Sequence, residues 1–159
     1  MLSRTAEYLY WISRYMERAE TTARLLDVGY RMSLFPNPSG YNNEWESVLS
    51  AAGAIEGYKN KYDTIEQKNV EDYLFFDESN PSSVYNCILN ARNNALVVRT
   101  SFTPESWLAI NKTYQEILNL KEKKFTKSDL PDLTEWTIEQ VNLFSCLLYT
   151  SDAADDWSS

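Results

Sequence analysis

The residue pattern points to an all-α helical bundle, and three observations carry that expectation. Apolar residues recur at spacings of 3 and 4 near the N-terminus, at Leu9, Ile12, Met16, Ala19, Ala23, Leu26 and Tyr30. That is the seam of a helix packed against other helices. No strand-length run alternates apolar with polar residues. Later periodic segments open on capping or turn residues. Five to six helices with short links are expected, the last one truncated at the C-terminus.

The first helix can be capped by Ser3 and should run to about Met32, because neither Gly nor Pro interrupts it before Gly29. Phe35 to Asn43 (FPNPSGYNN) reads as a turn-rich linker. Asn43 with Glu46 resembles a capping box opening a second helix, with Trp45, Val48, Leu49, Ala52 and Ile55 inward and Gly57 as its stop. Tyr58 to Lys68 reads as a polar stretch. A short helix around Val70 to Phe76 then turns Val70, Tyr73 and Leu74 inward. Asn80 and Pro81 suit the cap and first turn of a helix whose buried face is Val84, Cys87, Ile88, Ala91, Ala95 and Val98. Thr103 and Pro104 repeat that start for a helix striped with Trp107, Ile110, Tyr114, Ile117 and Leu118. Thr134 can cap a last helix carrying Ile138, Val141 and Phe144.

Composition excludes several functions. The chain is acidic, with 15 Lys and Arg against 23 Asp and Glu and a net charge of −8. Nucleic acid and anionic membranes reward clustered cations, so neither is an expected partner. The one basic run, Lys121 to Lys127, is interrupted by Glu122 and reads as a solvated helix end. There is no His, which removes the commonest general base and metal ligand. No metal site and no cofactor is expected. The glycines, Gly29, Gly40, Gly53 and Gly57, are too widely separated for a phosphate loop. Cys87 sits on an apolar helical face and reads as a small buried hydrophobe, with no His to activate it. No apolar run is long enough to span a membrane, and Arg4 and Glu7 interrupt any signal-peptide core. The expected location is the cytoplasm.

Cys146 to Asp156 (CLLYTSDAADD) is, back-translated, similar to a transposase-type sequencing-library adapter read in frame. On that likeness the expected division is 1–145 as a partial helical domain and 146–159 as a non-native tail. Leaving out Asp152, Asp155 and Asp156 brings the net charge to −5.

Beside the first seam runs a dense set of charges: Arg14, Glu17, Arg18, Glu20, Arg24 and Asp27. At 100° per residue, Glu17 and Arg18 lie about 130° either side of the seam's centre and point away from it. The simplest expectation is a solvated face with Glu20–Arg24 and Arg14–Glu17 pairs. The alternative is that Tyr10, Trp11 and Leu25 let a second layer of helices cover these charges. Glu17, Arg18, Glu20 and Arg24 would then form a fixed network, able to take an amine on a carboxylate and a carboxylate on an Arg.

The string YLYWISRYMERAETTARLLDV, Tyr8 to Val28, resembles the opening of the bacterial alpha-E domain family, helical proteins defined by an ER motif. Here that motif is Glu17-Arg18. NEWESVL with Trp45, Asn69 to Ala95, Trp107 and VNLFS at Val141 to Ser145 fit the same family in collinear order. Asn93 departs from it, standing where the family's A-R-E-N-A pattern has Glu. The resemblance implies a tandem ER helix, of which this chain shows one copy. By genomic association it also implies a peptide synthesis or modification system, with ATP-grasp-type ligase, transglutaminase-like and NTN-hydrolase-type companions. The leading expectation is therefore a non-catalytic helical partner or scaffold in such a system. The alternatives are an enzyme acting on amide or amine substrates, with Glu17 or Glu20 as base and Arg18 or Arg24 as anion holder, and a plain helical oligomerisation module.

Overall fold

The long uninterrupted seam forms a long helix. In the computed structural model, which describes residues 2–36, 43–123 and 129–158 (side chains 3–36, 44–123 and 129–148), α1 spans Leu2–Ser33. It is followed by α2 (Asn43–Ala51), α3 (Ile55–Lys61), α4 (Gln67–Phe75), α5 (Val84–Val97), a 3-10 turn at Arg99–Ser101, α6 (Pro104–Glu122) and α7 (Leu130–Ser158). Among the described residues there are seven α-helices and no strand, so the fold is the expected all-α bundle with one helix more than the upper expectation.

α1 is the axis. It packs most extensively along α5 and α7, and its C-terminal half also meets α2 and α4. Two buried clusters lie along it. Ile12 and Met16 sit with Ala91, Ala95, Ile110, Val141 and Phe144. One to four turns further on, Ala19, Ala23 and Leu26 sit with Trp45, Leu49, Tyr58, Leu74 and Ile88. The predicted seam is the buried face: Ile12, Met16, Ala19, Ala23 and Leu26 are buried, with Leu9 and Tyr30 half-buried at its ends. Burying each large apolar side chain contributes about 1.5–3 kcal/mol.

Several element boundaries differ from expectation. α1 begins at Leu2, so Ser3 lies inside its first turn rather than capping it. The predicted second helix is two helices. α2 stops at Ala51 in a Schellman closure, where Gly53 N–H donates to Ser50 O at 3.0 Å and Ala54 N–H to Leu49 O at 2.9 Å. Gly53 supplies the left-handed φ of 65° that this closure needs. Gly57 falls inside α3 instead, where Tyr73 packs so closely that a Cβ would overlap its hydroxyl. The Tyr58 to Lys68 stretch is not simply polar. Tyr58 is fully buried, stacks on Tyr62 at 4.8 Å, and donates its hydroxyl to Thr64 O at 2.8 Å.

The cap of α5 is Ser83, whose hydroxyl accepts from Asn86 N at 3.1 Å, rather than Asn80. Asn80 is buried in the preceding turn, accepting from Ser82 N and donating to Tyr73 O at 3.0 Å. Thr103 and Pro104 start α6 as predicted. Thr134 caps nothing. It lies inside α7, where its hydroxyl is within 3.2 Å of both Leu130 O and Ala23 O. α7 also runs on beyond Ser145 to Ser158, with Leu148 half-buried against the Ile12 cluster. The Pro38 and Gly40 turn, the Asn43 side chain of the expected capping box and Lys124 to Lys127 lie outside what is described.

Asp77 anchors the corner between α4 and α5. It accepts from Ser79 N at 2.7 Å and Ser79 Oγ at 2.6 Å, and pairs with Lys61. Burial works to raise its pKa, but the Lys61 ammonium and the Ser79 donors outweigh it, so the carboxyl titrates below its ordinary value. Its stabilising contribution is thus full above the usual carboxylate range of about 3.9 and is lost as pH falls through the depressed folded value. Urea unfolding of Asp77→Asn between pH 7 and pH 2 should show lower stability at pH 7 and a flatter acid arm than the parent. Gly29 gives a second test. A Cβ there would lie 2.8 Å from both Trp45 Cζ3 and Val48 Cγ2. Gly29→Ala should cost about 1–3 kcal/mol through overpacking, despite alanine's better helix propensity. Chemical denaturation measures it, and a stabilised variant would contradict the close approach of α1 and α2.

Candidate functional site

The 3.6-residue repeat that buries one face of α1 must present the opposite face elsewhere. In this bundle that face is open. Tyr10 is 57% and Trp11 45% exposed near its start, and Val28 and Met32 are exposed near its end. Arg14, Glu17, Arg18, Thr21 and Arg24 are exposed between them. Among the described residues no second layer of helices covers these charges. Leu25, grouped with Tyr10 and Trp11 in the sequence reading, is half-buried and packs toward the core.

The five predicted site residues therefore share one helix and most of one solvated surface, but they do not converge on a point. Arg24 donates from Nε and Nη2 to Glu20 Oε1, at 3.0 and 2.8 Å. Arg14 and Glu17 approach only to 3.7 Å, with side chains 54% and 67% exposed. Arg18 has no ion pair among the described residues. These are the two pairs expected from spacing, and exposed pairs of this kind contribute at most about 0.2–1 kcal/mol. The arrangement is neither a closed network nor a buried base. It is a polar centre with exposed apolar and aromatic side chains at both ends.

Arg18 also lies near Cys87 across the α1–α5 interface. Burial pushes the Cys87 thiol up to about 12, and the Arg18 charge opposes this only in part. The thiol is fully buried and stays protonated at neutral pH, so it is a packing residue. Arg92, next to the divergent Asn93, is occupied within the bundle. Its Nε donates to Asn111 Oδ1 at 3.2 Å and its guanidinium lies 5.2 Å from the Tyr114 ring centre. Among the described residues no group of three His, Cys, Asp or Glu is placed to hold a metal ion. No described helix is long and apolar enough to cross a membrane.

Sequence reasoning placed the charges correctly and missed how far the apolar part of the face extends. Val28 and Met32 are exposed near the end of α1, and Leu34 and Phe35 just beyond it. The helical spacing of Val28 and Met32 from Tyr10 and Thr21 is a readable signal, obscured because the main seam dominates the same helix.

Compared with known proteins, residues 1–156 match a family described as Alpha-E, a predicted alpha-helical domain with a conserved ER motif. No curated protein and no solved structure matches the chain. Because Glu17 and Arg18 are solvated, Glu17→Gln and Arg18→Lys should each shift unfolding stability by no more than about 0.5 kcal/mol. A loss of several kcal/mol in urea titration would show that the dipeptide holds the fold together.

Proposed function

The chain belongs to the Alpha-E family, and we propose that it is a non-catalytic helical partner that docks other proteins through the open face of α1. The observation that carries this reading is the exposure of Tyr10, Trp11, Glu17 and Arg18 on one continuous helix face. Exposed aromatic residues beside Arg are the composition of binding hot spots. Glu17 is largely in water, and among the described residues no enclosed pocket surrounds it to position a substrate. The proposed setting is the cytoplasmic peptide synthesis or modification system implied by the resemblance of Tyr8 to Val28. The proposed partners are an ATP-grasp-type ligase and a transglutaminase-like protein.

The test is affinity measurement between this chain and the ligase and transglutaminase-like proteins encoded beside it. Trp11→Ala and Arg18→Glu should each weaken binding at least about tenfold, since hot-spot truncations cost 2 kcal/mol or more. Both positions are exposed, so circular dichroism spectra should be unchanged. Binding that is absent in the parent, or as tight in both variants as in the parent, removes the proposal.

A further inference from the structure

α1 and α5 run antiparallel along one side of the bundle. Thr22 donates its hydroxyl to Ser82 O at 3.3 Å, just before α5 begins. Arg18 lies near Cys87, and Ile12 and Met16 pack with Ala91, Ala95 and Val98. The two turns of α5 from Asn90 to Val97 therefore stand level with Tyr10 to Tyr15. Trp11 is about 18 Å along α1 from Ala23, the level at which Thr134 of α7 touches the helix.

Thr22 marks the side of α1 that faces α5. Measured round the helix from it at 100° per residue, Trp11 lies about 20°, Arg18 about 40° and Glu17 about 140° away. Trp11 and Arg18 thus border α5, and Glu17 does not. Cys87 marks the matching side of α5, with Asn94 about 20°, Asn90 about 60° and Val97 about 80° round from it. Asn90 and Asn94 are half-buried and Val97 is 61% exposed.

This side of the molecule is short of carboxylates. No Asp or Glu occurs between Glu78 and Glu105, a stretch that contains all of α5. From Tyr8 to Ala19 there is only Glu17. The same two stretches hold Arg14, Arg18, Arg92 and Arg99, so they are cationic within a chain of net charge −8. Arg92 is turned inward to Asn111, and Arg99 is exposed. Arg14 comes only within 3.7 Å of Glu17, and Arg18 has no ion pair among the described residues. The surface thus offers two solvated guanidinium groups beside neutral amides, with Tyr10, Trp11 and Val97 as exposed apolar area at the same level.

We propose that the α1–α5 surface receives an acidic segment of the docked partner, its carboxylates on Arg14 and Arg18 and an apolar side chain against Trp11 and Val97. Arginine takes a carboxylate through two parallel hydrogen bonds, whereas a basic segment would meet like charge. This rests on the partner-docking reading and deepens it, giving the sign of the partner's charge and adding α5 to the contact.

The experiment titrates the full chain against the ligase and transglutaminase-like proteins of the docking test. Asn90 is replaced by each sign of charge in turn, because Glu and Lys are both better helix formers than Asn and should leave the circular dichroism spectrum unchanged. Asn90→Glu should weaken binding about tenfold or more, and Asn90→Lys should tighten it. Raising NaCl from about 50 to about 300 mM should weaken the parent's binding, since salt screens exposed charges. Suppose binding is lost in Trp11→Ala and Arg18→Glu but is indifferent to the sign of charge at position 90, or is weakened as much by Lys as by Glu. The inference is then overturned while the docking reading stands. A parent that binds neither protein overturns both.

Discussion

The structure depends on how closely other helices can approach α1. Its buried seam becomes small in the middle, where Ala19 and Ala23 stand between Met16 and Leu26. There α7 comes near enough for the Thr134 hydroxyl to reach the Ala23 carbonyl at 3.2 Å, a contact spanning 111 residues of sequence. At the next small position, Gly29, the Trp45 ring lies against the helix backbone. Interiors pack at crystal-like density, so larger side chains at these points would push α2 and α7 outward and open the core.

That one-sided packing determines what the ER dipeptide can be. A helix whose core face is centred between Ile12 and Ala23 carries Glu17 and Arg18 round to the solvent. In water their charges are screened, and long side chains lose entropy on pairing, so they add little to stability. The same exposure makes them useful for recognition, where complementary charge governs specificity and encounter rate more than raw affinity. The aromatic pair beside them, Tyr10 and Trp11 with ring centres 5.4 Å apart, supplies the apolar area that charges alone lack.

The corner between α4 and α5 works by different physics. Between α4 and α5 the chain turns through buried polar groups, and each finds a partner. Asn86 donates to Glu78 O at 2.9 Å and Asn80 O at 2.8 Å, while Asn80 reaches back to Tyr73 O. Among the described residues no buried side-chain nitrogen or oxygen lacks a hydrogen bond. A corner satisfied this completely is rigid. It fixes the end of α4, and with it the buried Phe75 and Phe76.

Local patterning was enough to settle the helical class, the buried faces of α1, α4 and α5, the Thr103-Pro104 start and the inert burial of Cys87. These follow from periodicity, capping chemistry and side-chain volume, which act over one or two turns. It also placed Glu17 and Arg18 opposite the core, because angle around a helix is a local property. Whether anything covers them depends on how distant helices pack. That packing likewise decided that Gly53 and not Gly57 ends a helix, that Tyr58 belongs to the core, and that Thr134 serves α1 rather than its own helix start. Each of those outcomes rests on a partner distant in sequence or on a backbone conformation chosen by packing.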